Sequence, residues 1–482
     1  MCRATWEVDV IERREVLING EWVPSAGDGV IEVENPVTEE VIATIPSGDV
    51  RDVDRAAEAA TAAFGEWSRS SLAQRAEALR SLADIVESRT DEITRTIVTE
   101  IGEPLSIATG HQTLSTVRHL RNTADALKDV DWDVQVGDTL VHRAPVGVVG
   151  AITPWNVPLL MIAMKVGAAV AAGCTVVLKG TEIAPMSSYF FAEATLEAGL
   201  PPGVFNLVSG NGPEIGEAIA SHPKVDMVSL TGSPRAGSRV MELASASVKR
   251  VALELGGKSA NLILEDLPEA DLERAVTAGI EDAFRNSGQV CGGLTRMLVP
   301  RSRLAQAEEI AAARVARYVL GDPFAEGTTL GPVVSRTQRD RVRALIQTGI
   351  DEGARLVAGG RDKPDGLDKG YFVKPTVFTG TPKLRIAREE IFGPVVTIIP
   401  FDSEEEAIAI ANDSQYGLAG GVWAASTERA REVALRLRTG RIRLNGSPVN
   451  AQAPHGGFKL SGIGRENGRF GIEEFLEYQS IG

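Results

Sequence analysis

Of the three cysteines in the chain, Cys2, Cys174 and Cys291, one stands where a sulfur can attack. It lies in the run Asn286-Ser287-Gly288-Gln289-Val290-Cys291-Gly292-Gly293, with glycines on both sides. Glycines strip away steric cover, and an attacking thiolate needs an open approach together with a field that favours its charge. Most cysteines in arbitrary proteins are small buried hydrophobes. Cys174 reads that way because it opens a β-rich run, and Cys2 sits at the terminus. Three cysteines cannot make a disulfide framework, and so few fit a reducing, cytoplasmic setting.

A second set of polar residues follows short apolar runs. Between 146 and 264 the pattern is β-α-β, with β-rich runs at Val146–Ile152, Thr175–Leu178, Val204–Val208, Val225–Leu230 and Val248–Leu253. The gaps suit crossover helices of a parallel sheet. Ligands of such sheets bind beyond the carboxyl ends of the strands. Pro154-Trp155-Asn156 follows the first run, Lys179-Gly180-Thr181-Glu182 the second, Thr231 to Gly237 the fourth, and Glu254 to Lys258 the fifth. Each fragment alone is weak, but four of them predict one shared crevice. Gly232-Ser233 before a helix can offer backbone N–H groups to a pyrophosphate, although on spacing alone such glycines are more often turn residues. No G-x-G-x-x-G follows the first strand, so the ordinary dinucleotide fingerprint is absent. Glu182 and Lys179 read equally as ribose contacts or as a solvated loop pair.

The elements that must position these groups are legible in part. Asp49 to Trp67 and Leu72 to Ile97 place apolar residues on helical stripes, predicting two long amphipathic helices. Val157 to Leu178 is long enough to cross a bilayer, but Pro158, Gly167 and Gly173 interrupt it. A buried helix leading into a buried strand explains that stretch better. Residues 131–136 alternate apolar and polar, Gly137-Asp138 offers a turn, and Leu140 and His142 continue outwards. That hairpin and a strand over Phe475 to Ile481, placed to extend a partner's sheet, point to an oligomer, a homotetramer or homodimer. At 482 residues the chain exceeds one compact core. Its formal charge of −15, with no basic cluster, argues against nucleic acid. No signal-peptide core opens it, and no membrane association is expected.

Taken together, the segments at Pro154-Trp155-Asn156, Lys179–Glu182, Thr231–Gly237, Glu254–Lys258 and Gly288–Cys291 resemble the aldehyde dehydrogenase superfamily. Further matches are Glu389-Glu390-Ile391-Phe392-Gly393-Pro394, Asn412–Leu418, Gly456–Lys459 and Ser461–Glu466, in the family's order across nearly the whole chain. The resemblance implies an α/β fold: a Rossmann-like cofactor domain (1–126 and 146–257), an α/β catalytic domain (258–447) and a small β oligomerisation arm (127–145 and 464–482). It implies NAD as cofactor, with NADP less favoured, a small-molecule aldehyde as substrate, and no metal. Cys291 becomes the nucleophile, Asn156 and the Cys291 N–H the oxyanion donors, and Glu254 the base that hydrolyses a thioester. Lys165 and Glu466 resemble a proton-relay pair. The cofactor residues implied are Ile152, Thr153, Trp155, Lys179, Glu182, Gly212, Thr231, Gly232, Ser233, Leu255, Glu390 and Phe392.

Departures from the family pattern concern the aldehyde tunnel. Positions that are often aromatic correspond here to Val157, Met164, Val449 and His455, with Val290 beside the sulfur. A tunnel lined that way is expected to be wide and soft, suiting something bulkier than acetaldehyde, with His455 as a rim residue. Two alternatives remain: a CoA-acylating semialdehyde dehydrogenase, disfavoured by Glu254, and a catalytically silent protein on the same fold, disfavoured by Cys291, Glu254 and Asn156 together.

Overall fold

The computed structural model describes residues 10–482, so Cys2 lies outside the described residues. The five β-rich runs form neighbouring parallel strands: β1 (Val148–Ile152), β2 (Thr175–Lys179), β3 (Phe205–Val208), β4 (Met227–Thr231) and β5 (Arg250–Glu254). Their order across the sheet is β5-β4-β1-β2-β3. Connections run one way from β1 to β3 and the other way from β4 to β5, so the direction reverses between β1 and β4. A crevice opens at such a switch point. Antiparallel strands extend both edges, Gly462–Ile463 beside β5 and Glu15–Ile18 with Glu21–Pro24 beyond β3.

Helix α1 (Pro158–Ala172) explains the long apolar run without a membrane. Proline occupies its first turn, where the missing N–H costs nothing, and Gly173 closes it at φ 93°. The buried Arg75 guanidinium donates to the carbonyls of Ala171 and Ala172, satisfying groups that the helix end leaves open. Burying Ile162, Val166 and Val170 here stabilises the lobe by about 1.5–3 kcal/mol each. Among the described residues no helix is long and apolar enough to cross a membrane.

A second sheet of seven strands runs Arg355–Ala358, Thr376–Thr379, Val395–Phe401, Arg296–Pro300, Ala260–Ile263, Ala419–Trp423, Arg441–Leu444. All its pairings are parallel except the first.

Two expectations change, and the C-terminal strand finds its neighbour within the chain. The stripe from Leu72 is two helices, Leu72–Ser88 and Thr90–Ile101, broken at Arg89 (φ −104°, ψ 19°) while the apolar stripe carries on. The fifth strand begins at Arg250, not Val248, because Val248 is exposed in a turn at φ 56°. Leu476–Ile481 pairs antiparallel with Thr139–Pro145 of its own hairpin, completing a three-stranded sheet within one chain.

Candidate active site

The sheet register sets the site's floor. Ile152 on β1 lies opposite Lys179 on β2, and Thr231 on β4 opposite Glu254 on β5, so the polar residues that follow these strands emerge side by side. Thr153 and Thr231 bury their hydroxyls there without a hydrogen-bond partner. Gly232 donates its N–H to Glu254 O, and Ser233 then caps the helix Pro234–Ser245 by accepting from Ala236 N at 3.2 Å. That helix points its N-terminus at the crevice. Lys179 Nζ bonds Glu182 at 2.5 Å. Gly212 opens the turn after β3, with open space around its Cα. Leu255 is buried against Gly237, where a Cβ would come within 2.7 Å of its side chain.

From the other lobe, Glu390 reaches across and accepts the Gly257 N–H at 2.9 Å. Burial pushes its carboxyl up to about 7, against the effect of that donor. Two residues on, Phe392 sits at φ 57° with its ring edge-on to Trp155, 5.3 Å between centroids.

Cys291 is held by a loop under backbone tension. Asn286 (φ 48°), Ser287 (φ 55°) and Gly288 (φ 75°) are successive left-handed residues, a conformation that costs non-glycine residues energy. Buried amides hold it. Asn286 Nδ2 donates to Asn156 O at 2.9 Å, and Asn156 Nδ2 returns a bond to Gln289 O at 3.0 Å. Gln112 also donates to Asn156 O and to Glu103, tying the loop after β1 to the first helices. Gln289 accepts the Val334 N–H at 2.8 Å. Asn156 and the cysteine loop are thereby one unit.

Donor atoms of Glu254, Cys291 and His455 all lie within 4.8 Å of one another. Glu254 is buried, yet neither carboxylate oxygen has a hydrogen-bond partner. Burial, then the adjacent Glu254 carboxylate, holds the Cys291 thiol well above its ordinary range, with Arg441 pulling the other way. Cys174 is wholly buried and its thiol is pushed up to about 12, so it does not compete as a nucleophile. Behind Glu254, Lys165 on α1 is buried and bonds Glu466 at 2.8 Å and Ser229 at 3.3 Å. Burial would raise the Glu466 carboxyl, but Lys165 holds it below the usual range.

His455 is not at the rim. It is buried, its Nε2 is 3.4 Å from Glu254 Oε1, and its backbone pairs with Glu466 in both directions. A cavity of about 10 Å³, lined by Glu254, His455 and Glu466 among others, adjoins it. Val157 and Met164 are buried on α1 and its cap, Val290 is half-buried beside Cys291, and Val449 is exposed on the loop leading to His455. The bracing residues Glu103 and Gln112 went unread in the sequence, since they lie in a segment with no recognisable pattern. Arg441, close against Gly292, likewise carries no signal of its own in the sequence.

Comparison with known proteins agrees with this geometry. The aldehyde dehydrogenase family model matches residues 22–481. A 3-succinoylsemialdehyde-pyridine dehydrogenase from a Pseudomonas species is 50% identical, covering 97% of this chain and 98% of its own. A mutant of aldehyde dehydrogenase C from Pseudomonas syringae, solved with NAD+ and octanal, superposes with a TM-score of 0.95 at 47% identity, covering 97% of this chain and 96% of that one. An aldehyde dehydrogenase from Mycobacterium tuberculosis, solved with NAD+, gives 0.95 at 40% identity, each chain covered to 98%. The chain belongs to the aldehyde dehydrogenase family.

Proposed function

We propose that the protein oxidises an aldehyde to its carboxylic acid with NAD as hydride acceptor, through a thioester on Cys291. The convergence of Cys291, Glu254 and the Asn156-braced loop carries this reading. Cys291 attacks the aldehyde carbon, and its thiol proton passes to Glu254 and on toward the Lys165–Glu466 pair, so that the carboxylate is unprotonated again before hydrolysis. Asn156 Nδ2 spends one proton on Gln289 O, which leaves its second for the oxyanion, shared with the Cys291 N–H. One such donor supplies about 3–4 kcal/mol of transition-state stabilisation. NAD, when bound, accepts the hydride that converts the thiohemiacetal to a thioester. Glu254, buried and without hydrogen-bond partners, then takes a proton from the water that hydrolyses it. The proton leaves toward the Lys165–Glu466 pair behind.

The residues present fit NAD. Orphaned hydroxyls at Thr153 and Thr231 and a helix N-terminus behind Gly232 and Ser233 suit a pyrophosphate, with Ile152, Gly212 and Leu255 shaping the crevice. Glu182 would accept from ribose hydroxyls and disfavour a 2′-phosphate, and Lys179, bonded to it, would reach the same sugar. Glu390 would hold the nicotinamide ribose, and the Phe392–Trp155 pair its ring.

The substrate class is a medium-length or aryl aldehyde, running past Val157, Met164, Val290, Val449 and His455. The relative named for a succinoylsemialdehyde-pyridine and the octanal of the Pseudomonas syringae structure support it. Residues 1–126 with 146–257 would form the cofactor domain, 258–447 the catalytic domain, and 127–145 with 464–482 the arm. Val134, Val136, Tyr478 and Ile481 expose apolar surface on that arm, supporting a homodimer or homotetramer. We place the protein in the cytoplasm. The test is an aldehyde panel with NAD and NADP, following NADH and the product mass in ¹⁸O-water. Labelled acid from long or aryl aldehydes, with NAD preferred, is expected. Acyl-CoA formed only when CoA is added, or acetaldehyde as the best substrate by kcat/KM, would overturn the corresponding part.

A further inference from the structure

We infer that Cys291, Glu254 and His455 form an inhibitory site for a soft divalent cation of the zinc class, which occupies the nucleophile and base assigned to the dehydrogenase reaction. Zinc binds thiolate, imidazole and carboxylate in a tetrahedron, at about 2.3 Å to sulfur and about 2.0–2.2 Å to nitrogen and oxygen. A nitrogen–oxygen edge of such a tetrahedron is therefore about 3.3–3.5 Å long. His455 Nε2 and Glu254 Oε1 already stand 3.4 Å apart, and the Cys291 sulfur lies within 4.8 Å of both.

The polar atoms in this triad lack what a cation supplies. Glu254 is 3% exposed and both its oxygens are without hydrogen-bond partners, a costly state for a carboxylate. The other ring nitrogen of His455, Nδ1, is also buried and unpartnered. The cavity of about 10 Å³ beside His455, Glu254 and Glu466 approaches the size one water needs, which would give a metal-bound imidazole its outer partner. Backbone pairing to Glu466, itself anchored by Lys165, fixes where the ring stands. Sulfur and imidazole select zinc or cadmium over magnesium or calcium.

Binding is a proton exchange with no change of oxidation state: the Cys291 S–H bond breaks, a sulfur–zinc bond forms, and one proton is released. The centre is then neutral, with one thiolate and one carboxylate against two positive charges. A sulfur so occupied cannot attack a carbonyl, and a chelator restores it. His455 is what turns an ordinary cysteine–glutamate pair into a three-point site.

The test is titration of the cofactor-free protein with Co²⁺ and displacement by Zn²⁺. One ion per chain is expected, with a sulfur-to-cobalt charge-transfer band and tetrahedral visible bands. Cys291→Ser should abolish the charge-transfer band. His455→Phe, checked for folding by circular dichroism and thermal midpoint, should weaken Zn²⁺ binding at least 10-fold, and His455→Gln provides a second variant. Zn²⁺ inhibition of the parent should reverse with EDTA and be unaffected by excess Mg²⁺. A band that persists in Cys291→Ser, binding in both His455 variants within 3-fold of the parent, or no binding below millimolar Zn²⁺ would overturn the proposal. The spectral readout needs no turnover, so it stands or falls apart from the assigned reaction.

Discussion

The two walls of the crevice are built by opposite means. The wall at β1, β2, β4 and β5 is regular parallel sheet, whose register alone sets Ile152 beside Lys179 and Thr231 beside Glu254. The facing wall is the loop from Asn286 to Cys291, with three successive residues at positive φ and a web of interior amide bonds holding it. An extended cofactor needs donors and acceptors at strand ends, which ordinary sheet geometry provides. A nucleophile needs one atom at one point, and here the strain of the loop and the buried hydrogen bonds that offset it place that atom.

The comparison breaks most sharply at the sulfur. Cys291→Ala should lower kcat by roughly 10⁴–10⁶-fold in steady-state assays, whereas Cys174→Ala, in the regular wall, should leave kcat within a few-fold and cost mainly stability. Equal losses would mean the loop holds no nucleophile.

Glycines sharpen the contrast next. At Gly288 (φ 75°) a Cβ would lie 2.1 Å from Gly393 O, so Gly288→Ala should lose about 2–4 kcal/mol in urea unfolding. Gly212, with nothing near, should accept alanine within about 0.5 kcal/mol.

A buried carboxylate and a buried amide give smaller effects. Glu100, in the helix Thr90–Ile101, accepts the Met186 N–H, and burial still pushes it up to about 8 from an ordinary 4.5. The folded chain then keeps a proton that the unfolded chain has released, so the stabilisation present at low pH is lost as pH rises through about 8. Thermal midpoints of Glu100→Gln should therefore gain on the parent from pH 5 to pH 9, and parallel profiles would contradict the assignment. Among the changes expected to lower activity, the smallest is Gln112→Ala, which removes a 3.2 Å bond to Asn156 O. About 1 kcal/mol of lost positioning predicts a kcat drop of several-fold with KM little changed.

How far each wall was legible follows from the same physics. The regular wall could be read because strand period and crossover length are local: the five β-rich runs became β1 to β5 with ends shifted by at most two residues. The break at Arg89 escaped because the apolar stripe continues across it. The strained wall was legible only as residue types around Cys291. Nothing in Gly102-Glu103-Pro104 or in Gln112 announces a brace for Asn156, since that contact spans 44 positions of sequence. His455 was misplaced for a related reason: its depth depends on the pairing with Glu466, which no local pattern reveals.

The central claim is that one sulfur, one amide and one carboxylate meet around a single carbonyl. Glu254→Gln mixed rapidly with aldehyde and NAD tests it most directly, with NADH followed by stopped flow and the quenched protein weighed by mass spectrometry. The account predicts a burst of about one NADH per active site, stalled turnover, and an acyl group on the peptide carrying Cys291. Steady turnover at the parental rate with no acyl adduct on Cys291 would contradict it.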